Sequence, residues 1–378
     1  MTRLPKILPR EEKIPLLRPW IIEPEELLSE LKEIIASGKL SLGIFTQKLE
    51  EAIQRALGVK NAILVSSGTS GLILVLKALG IKGKVVVPAF TFPATSHSVL
   101  WAGAKVKFCD VNLDDFTISL SELEQINDPE IEAVIAVNVF GLPPRIEELE
   151  QICRKRGWKL IFDSAQGLGS EYKGEKTGRF GWAEIFSLSP SKVITAGEGG
   201  VITTNDSELA HQLRSLRNYG KSHDGSDIIE TGLSVRMSEF NALIAYHNFS
   251  HLEELINLRE DLIKNYQRAF ANKKGIEFQK TDNQRRSACN YFVLRITEQA
   301  PISCEELYLK LQEQGIESKR YFYPPAHKIR AYLDWQKDSF PNSELLSEQC
   351  LALPLYPGLE AEEQERIIKT INYYLGER

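Results

Sequence analysis

From residue 62 onward, short apolar runs alternate with stretches whose apolar positions recur at helical spacing. The runs cover 62–66, 84–88, 105–109, 132–138, 158–162, 184–187 and 200–204. They are continuous rather than alternating in polarity, the pattern of strands buried on both faces. Between them, 70–79, 94–102 and 146–156 are predicted as helices; the last places Ile146, Leu149, Ile152 and Cys153 on one face. This alternation predicts an α/β fold with a mostly parallel, mixed sheet flanked by helices. In such sheets ligands bind beyond the carboxyl ends of the strands. Chemistry is therefore expected in the residues that directly follow each run.

The flanking segments predict a second, smaller unit. Residues 1–24 are Pro-rich and irregular, as in an arm laid over a surface. Helices are expected at 25–36 and 47–57, stopped by Gly38 and Gly58. Residues 238–270 hold few breakers and are expected to form one long helical region. A strand at 290–296 and helices at 303–314 and 361–375 follow, the last with Ile367, Ile368, Ile371 and Leu375 on one face. The expected division is a large domain over 1–250, including the arm, and a small α+β domain over 251–378. A length of 378 residues suits two domains.

Composition narrows the function classes. Hydrophobic residues make up 43% and charged residues 26%, an ordinary globular mixture. The formal charge of −5 argues against a general nucleic-acid binder. No apolar run approaches the ~18–20 residues of a membrane span. The first twelve residues are polar, with two prolines, and lack the apolar core of a signal peptide. The five cysteines are scattered, without a CxxC or a zinc-like Cys/His spacing. Unpaired thiols in a reducing cytoplasm are expected, with no metal site and no membrane partner.

Four segments that follow strands carry candidate chemistry. Ser66-Ser67-Gly68-Thr69-Ser70-Gly71 precedes a helix. Its small residues suit either an anion cradle of backbone N–H groups or a plain helix cap. Asp163 ends a strongly apolar run and needs a cationic or hydrogen-bonding partner, unless it only caps a helix. Lys192 follows Ser187-Leu188-Ser189-Pro190-Ser191 and precedes a Gly-rich turn, 197–200. A partly desolvated lysine there is a candidate nucleophile; a lone lysine is otherwise a surface residue. Phe90 and Phe92 supply aromatics for the core or for stacking on a planar ring. Together these parts meet the needs of pyridoxal 5'-phosphate. That cofactor needs a lysine for its aldehyde, a carboxylate for its pyridine nitrogen, a phosphate cradle and flat groups on both ring faces. Lys192, Asp163, the Ser67–Ser70 turn with Ser187, and Phe92 with Gln166 supply them in turn.

Over roughly residues 14–375 the chain resembles the DegT/DnrJ-type sugar aminotransferases, which are fold-type-I pyridoxal phosphate enzymes. The segments that carry the resemblance include SSGTSGL (66–72), VVVPAFTFPAT (85–95), FDSAQGLGSEYKG (162–174), FSLSPSKVITAGEGGVITTND (186–206), GLSVRMSEFNAL (232–243) and YPPAH (323–327). The resemblance implies that Lys192 joins the cofactor's aldehyde and then moves protons between substrate carbon and cofactor. Asp163 would pair with the pyridinium nitrogen, Gln166 and Phe92 would face the ring, and Gly68, Thr69 and Ser187 would hold the phosphate. It further implies an amino acid donor such as glutamate, a nucleotide-linked keto sugar acceptor, and a homodimer with shared active sites. In that dimer the 232–236 stretch reaches the neighbouring cofactor. Two departures stand out. Ser234 occupies a position where the family usually has a phosphate-contacting Asn, and Ser-Pro-Ser precedes Lys192 where bulkier residues are usual. His327, in the Tyr-Pro-Pro-Ala-His segment, is a candidate for the edge of the acceptor pocket. Relatives that dehydrate sugars carry His in place of the lysine, so Lys192 points to transamination. The alternative is a regulatory, non-catalytic relative that only binds the cofactor.

Overall fold

The computed structural model describes residues 13–376; the first half of the expected arm, residues 1–12, lies outside them. Two helices, α1 (Pro24–Ser37) and α2 (Ile44–Leu57), lead into the sheet. Its strands are β1 (Asn61–Val65), β2 (Lys84–Pro88), β3 (Lys105–Cys109), β4 (Ile131–Val137) and β5 (Lys159–Asp163). After a small hairpin of β6 (Glu171–Tyr172) and β7 (Glu175–Lys176) come β8 (Ala183–Ser187) and β9 (Gly200–Thr204). The order across the sheet is β1-β9-β8-β5-β4-β2-β3. Only β9 runs against its neighbours; the pairs β8–β5, β5–β4, β4–β2 and β2–β3 are parallel. The sheet is thus mostly parallel and mixed, with the expected α/β class.

Both faces of the sheet are covered, which explains the continuous apolar runs. Residues of a strand point alternately to opposite faces. On one face Ile63, Val65, Val85, Val87, Ile161 and Ile185 pack beneath α3 (Gly68–Ala78), α4 (Pro93–Trp101) and a later helix, α7. On the other, Val86, Val134, Ala136, Leu160 and Phe162 pack against α5 (Leu120–Gln125) and α6 (Ile146–Arg156). Ala62, Leu64, Phe186 and Val201 on that same side meet α1 and α2. The helix α7 spans Ser207–Leu216.

The region expected as one long helix is two, α8 (Glu239–Phe249) and α9 (Leu252–Phe270). No glycine or proline marks the break. The chain turns because Asn248 is fully buried, donating to the Thr195 carbonyl and accepting from the Ile22 N–H. Short-range bonds from Ser250 N to His247 O and from His251 N to Asn248 O then close the turn.

Beyond α9 lie β10 (Ile276–Phe278), β11 (Arg285–Arg286), β12 (Phe292–Ile296), α10 (Cys304–Glu313), β13 (Lys319–Arg320), α11 (Pro341–Gln349), β14 (Cys350–Leu353) and α12 (Ala361–Tyr374). The second sheet has the order β10-β12-β14-β13, all antiparallel. Its core joins Leu294, Leu307, Leu353 and Ile367 with Ile14 of the arm. The two units are interleaved. β11 pairs with β6, and Ala326, Tyr332 and Phe340 pack into the core beneath the large sheet. A buried ion pair, Arg285 to Asp115 at 2.8 Å, ties the units further.

Candidate active site

A cleft of about 240 Å³ opens at the carboxyl ends of the parallel strands. Ser67, Gly68, Thr69, Phe92, Asp163, Gln166, Ser187 and Lys192 all line it. Ser234 does not. It pairs with Asn218 in an isolated bridge, and its hydroxyl accepts from Arg236 at 3.0 Å.

The floor follows from strand register. Gly200 at the start of β9 sits between Val65 of β1 and Ser187 of β8. A Cβ on Gly200 would lie 2.5 Å from the Ser67 carbonyl carbon, so only glycine lets the Ser67 turn fold over this edge. The turn then reaches across β9, and a Cβ on Gly68 would lie 3.3 Å from Ser187 Cβ. Ser67 Oγ itself accepts from Ser70 N at 3.1 Å, and Ser70 Oγ accepts from Ser67 N at 3.1 Å. The helix-cap reading is thus realised, with the Ser67 hydroxyl engaged in a capping box. Helix geometry meanwhile leaves the Gly68 and Thr69 N–H groups without intrahelical acceptors, at the positive end of α3. A turn capped in this way still has backbone donors that could hold an anion.

Asp163 ends β5 and is buried. Its Oδ2 accepts from Thr95 Oγ1 at 2.7 Å and its Oδ1 from Ala165 N at 3.2 Å. Thr91 stands 2.8 Å behind Thr95, oxygen to oxygen. Burial pushes the carboxyl pKa up, opposed by these two hydrogen bonds and by Lys192. The amine of Lys192 lies inside the same cleft, where removal from water pulls its pKa down. Two groups of opposite charge therefore share one cleft, and each favours ionisation of the other.

Neighbouring loops fix the remaining positions. Gln166 Oε1 accepts from Phe140 N at 2.7 Å, which ties the turn after β5 to the segment after β4. Asn138 N donates to the Asp163 carbonyl at 3.0 Å, while the buried Asn138 Oδ1 has no hydrogen-bond partner among the described residues. Beneath this turn Ser164 Oγ donates to buried Glu184 at 2.8 Å, whose pKa burial pushes up to about 7. Phe92 is half exposed at the mouth of the cleft, just before α4. Tyr291, Tyr321 and Phe322 close the cleft from the C-terminal unit. Thr95's partner and these tyrosines carried no signal in the sequence. His327 does not reach the cleft. It is buried beside Phe108 and Phe340, with Nε2 3.1 Å from Glu344.

The donor set fits pyridoxal phosphate. A buried carboxylate with only neutral donors on its oxygens suits a cationic ring N–H. The amine stands in reach of the same space, and the α3 N-terminus with Ser187 offers an anion site free of bulk charge. Among the described residues no cluster of His, Cys, Asp and Glu could hold a metal ion.

A mostly parallel sheet with lysine, carboxylate and phosphate-type cradle on one rim is the architecture of an aminotransferase. Residues 22–372 match the DegT/DnrJ/EryC1/StrS aminotransferase family, and the chain belongs to it. Members of this family are pyridoxal phosphate enzymes. An uncharacterised protein of Methanocaldococcus jannaschii is 31% identical, covering 97% of this chain and 99% of its own. The dTDP-4-amino-4,6-dideoxy-D-glucose transaminase of Shigella dysenteriae is 29% identical over 97% of this chain and 96% of its own. Among solved structures, S. venezuelae DesV in complex with a ketimine intermediate is 28% identical, with a TM-score of 0.89 over 97% of this chain and 99% of that one.

Proposed function

We propose that this aminotransferase carries pyridoxal 5'-phosphate in the cleft and moves an amino group from glutamate to a keto sugar borne on a nucleotide, in amino-sugar biosynthesis. The observation that carries this reading is that one cleft at the rim of the sheet brings together the buried carboxylate of Asp163 and the half-buried Lys192, beside the α3 N-terminus. The dTDP-sugar transaminase among the relatives supports the acceptor class. Bound there, the cofactor supplies an aldehyde that takes up an amine and a protonated ring that draws electrons from the adjoining carbon.

The chain's residues set the terms of that chemistry. Asp163, held by Thr95 and Ala165, keeps the ring nitrogen protonated. Gly68, Thr69 and Ser187 fix the phosphate, and Gln166 and Phe92 confine the ring. Lys192 attaches the cofactor and, once released, takes a proton from the substrate carbon at Nζ and returns it elsewhere. Its lowered pKa keeps part of the amine neutral and able to accept that proton.

We propose also that a second copy completes the site. Ser234 and Arg236 lie outside the cleft of their own chain, on a segment whose Ile228, Ile229 and Leu233 are exposed. Arg236 lies over the half-exposed Tyr219 ring at 5.4 Å. A cytoplasmic setting suits the five free, buried cysteines.

The test is the visible spectrum of the purified protein with added pyridoxal phosphate. The bound band should fall with glutamate and return with a keto sugar nucleotide. A protein that takes up no cofactor sinks the reading.

A further inference from the structure

Glu184, in the middle of β8, is 1% exposed and does not line the cleft. Three neutral donors surround its carboxylate. Oε2 accepts from Ser164 Oγ at 2.8 Å, and Oε1 accepts from Gly178 N at 2.6 Å and from Phe180 N at 3.0 Å. Of these donors only the Ser164 hydroxyl can also accept.

Each contact leads to the cleft. Ser164 stands between Asp163 and Ala165, and its carbonyl accepts from Gly167 N at 2.8 Å. That bond closes the turn that brings Ala165 N to Asp163 Oδ1 and sets Gln166 in the cleft. The segment with Gly178 and Phe180 meets the same turn, since Thr177 Oγ1 donates to Gly167 O at 3.1 Å. Further along β8 comes Ser187, which lines the cleft. One carboxylate therefore ties the strand of Ser187 to the turn of Asp163 and Gln166.

Few ionisable groups share these surroundings. Phe162 faces Glu184 from β5 and Thr203 from β9, and neither titrates. Arg179 lies between the two N–H donors, but its guanidinium pairs with Glu175 and donates to the Gly58 carbonyl. From α6 Glu150 accepts from Gly181 N at 3.4 Å, and from β6 Tyr172 packs on the Phe180 ring. Asp163 is joined to Ser164 by the chain itself. Burial pushes the Glu184 carboxyl up to about 7, so its charge changes near neutral pH. Ionised, it accepts all three hydrogen bonds. Protonated, it must donate, and Ser164 Oγ is the one partner able to receive. The Glu184–Ser164 bond then reverses, and the Ser164 hydrogen loses its acceptor.

We propose that Glu184 is a positioning residue, which through Ser164 holds the Asp163–Gln166 turn firmly when ionised and loosely when protonated. This rests on the reading of the cleft as a pyridoxal phosphate site. The firm turn keeps Ala165 N on Asp163 and Gln166 Oε1 on Phe140 N, so both side chains are set before the cofactor arrives.

The first test follows carboxyl 13C shifts in the cofactor-free protein labelled on glutamate. One group should titrate near about 7 and be missing from Glu184→Gln. Ser164→Ala should raise its midpoint by about one pH unit, because a donor to the ionised form is lost. No such group, or an unmoved midpoint, overturns the proposal. The second test is the Kd for pyridoxal phosphate, taken as the ratio of variant to wild type so that titrations of cofactor and Lys192 cancel. Glu184→Gln copies the protonated acid, with an amide that accepts from the two N–H groups and donates to Ser164. The ratio should stay within about twofold at about pH 6 and reach about threefold to tenfold at about pH 8.5. A ratio constant across pH belongs to a merely structural residue and overturns the proposal. If Glu184→Gln does not fold, Ser164→Ala decides, with a ratio expected to rise over the same range and a flat one overturning the proposal. If the wild type takes up no cofactor, the functional reading fails, while the carbon titration still decides the Glu184–Ser164 contact.

Discussion

Asp163, Ser187 and Lys192 stand at or just beyond the ends of five-residue strands in the large sheet, whereas Tyr321 follows a strand of two residues in the small one. The first wall is held by register. Asp163 pairs beside Val137 and Ile185, and Ser187 beside Gly200, so each side chain is fixed by neighbours that the sheet cannot slip past. The second wall is held by side chains. Aromatic packing, the Tyr291–Tyr321 hydrogen bond and the network around Glu344 keep it in place. A wall fixed by register loses function when a reactive group is removed. A wall fixed by side chains loses position when any of several contacts is removed.

The largest effect therefore belongs to the first wall. Lys192→Ala should remove the bound visible band and lower turnover by more than about 1000-fold, with the fold intact by circular dichroism. A retained band of unchanged position would show that another amine holds the cofactor and that the rim is not the reactive wall.

Thr95→Val sharpens the same comparison at a smaller scale. It removes one of the two donors on the buried Asp163 carboxylate and leaves Oδ2 without that bond. The expected cost is about 1–3 kcal/mol, read as a weaker cofactor Kd. The direction follows from burial, which already pushes the Asp163 carboxyl up, so a lost donor favours the protonated form further. An unchanged Kd at neutral pH would mean that Thr95 does not set the charge on Asp163.

The second wall is probed through acid. Glu344 accepts from Lys328, Ser339, His327 and the Phe340 N–H, which hold its carboxyl down to about 2. Burial lowers the His327 pKa, so the folded ring is neutral, donating from Nε2 with buried Nδ1 unpartnered. Both groups act in the same direction. As pH falls below about 6.5 the unfolded His327 takes a proton that the folded one resists. The Glu344 contribution is present above about 4.3 and is lost as pH falls toward the folded value. Amides over 321–340 should thus exchange faster than those of the large sheet as pH drops, and Glu344→Gln should cost about 1–2 kcal/mol at neutral pH. Equal loss of protection in both sheets would remove the distinction between the walls.

The two walls also differ in how far the sequence discloses them. Rim residues announce themselves because a buried strand and the residue after it are neighbours in the chain, and the sheet class says where ligands sit. Thr95 lay in a segment already singled out, yet its partner is 68 residues away, and only the folded sheet brings them together. Tyr291 lies in the strand expected over 290–296, yet nothing marked it or Tyr321 as a cleft residue, because β12 and β13 reach the site only through long-range antiparallel pairing. The break between α8 and α9 was equally silent, since it depends on buried Asn248 rather than on a glycine or proline. The Ser66–Gly71 turn was legible as a cap or a cradle, and the fold uses it as a cap, with Gly68 and Thr69 lining the cleft.

The smallest expected effect concerns Ser234, the predicted cofactor residue that neither wall contains. Its hydroxyl is engaged by Arg236 within its own chain, and it stands outside the cleft. If a second copy brings 232–236 to the phosphate, the shorter serine leaves a gap that an asparagine amide spans. Ser234→Asn should then tighten cofactor binding by about 0.5–1.5 kcal/mol, the scale of one hydrogen bond. Ser234→Ala should leave it within about twofold. The gain should vanish on dilution below the dimer dissociation constant, because the donor comes from the other chain. A gain that persists in the monomer would place the residue within its own cleft. No gain in the dimer would mean that this chain holds the phosphate with the α3 N-terminus and Ser187 alone.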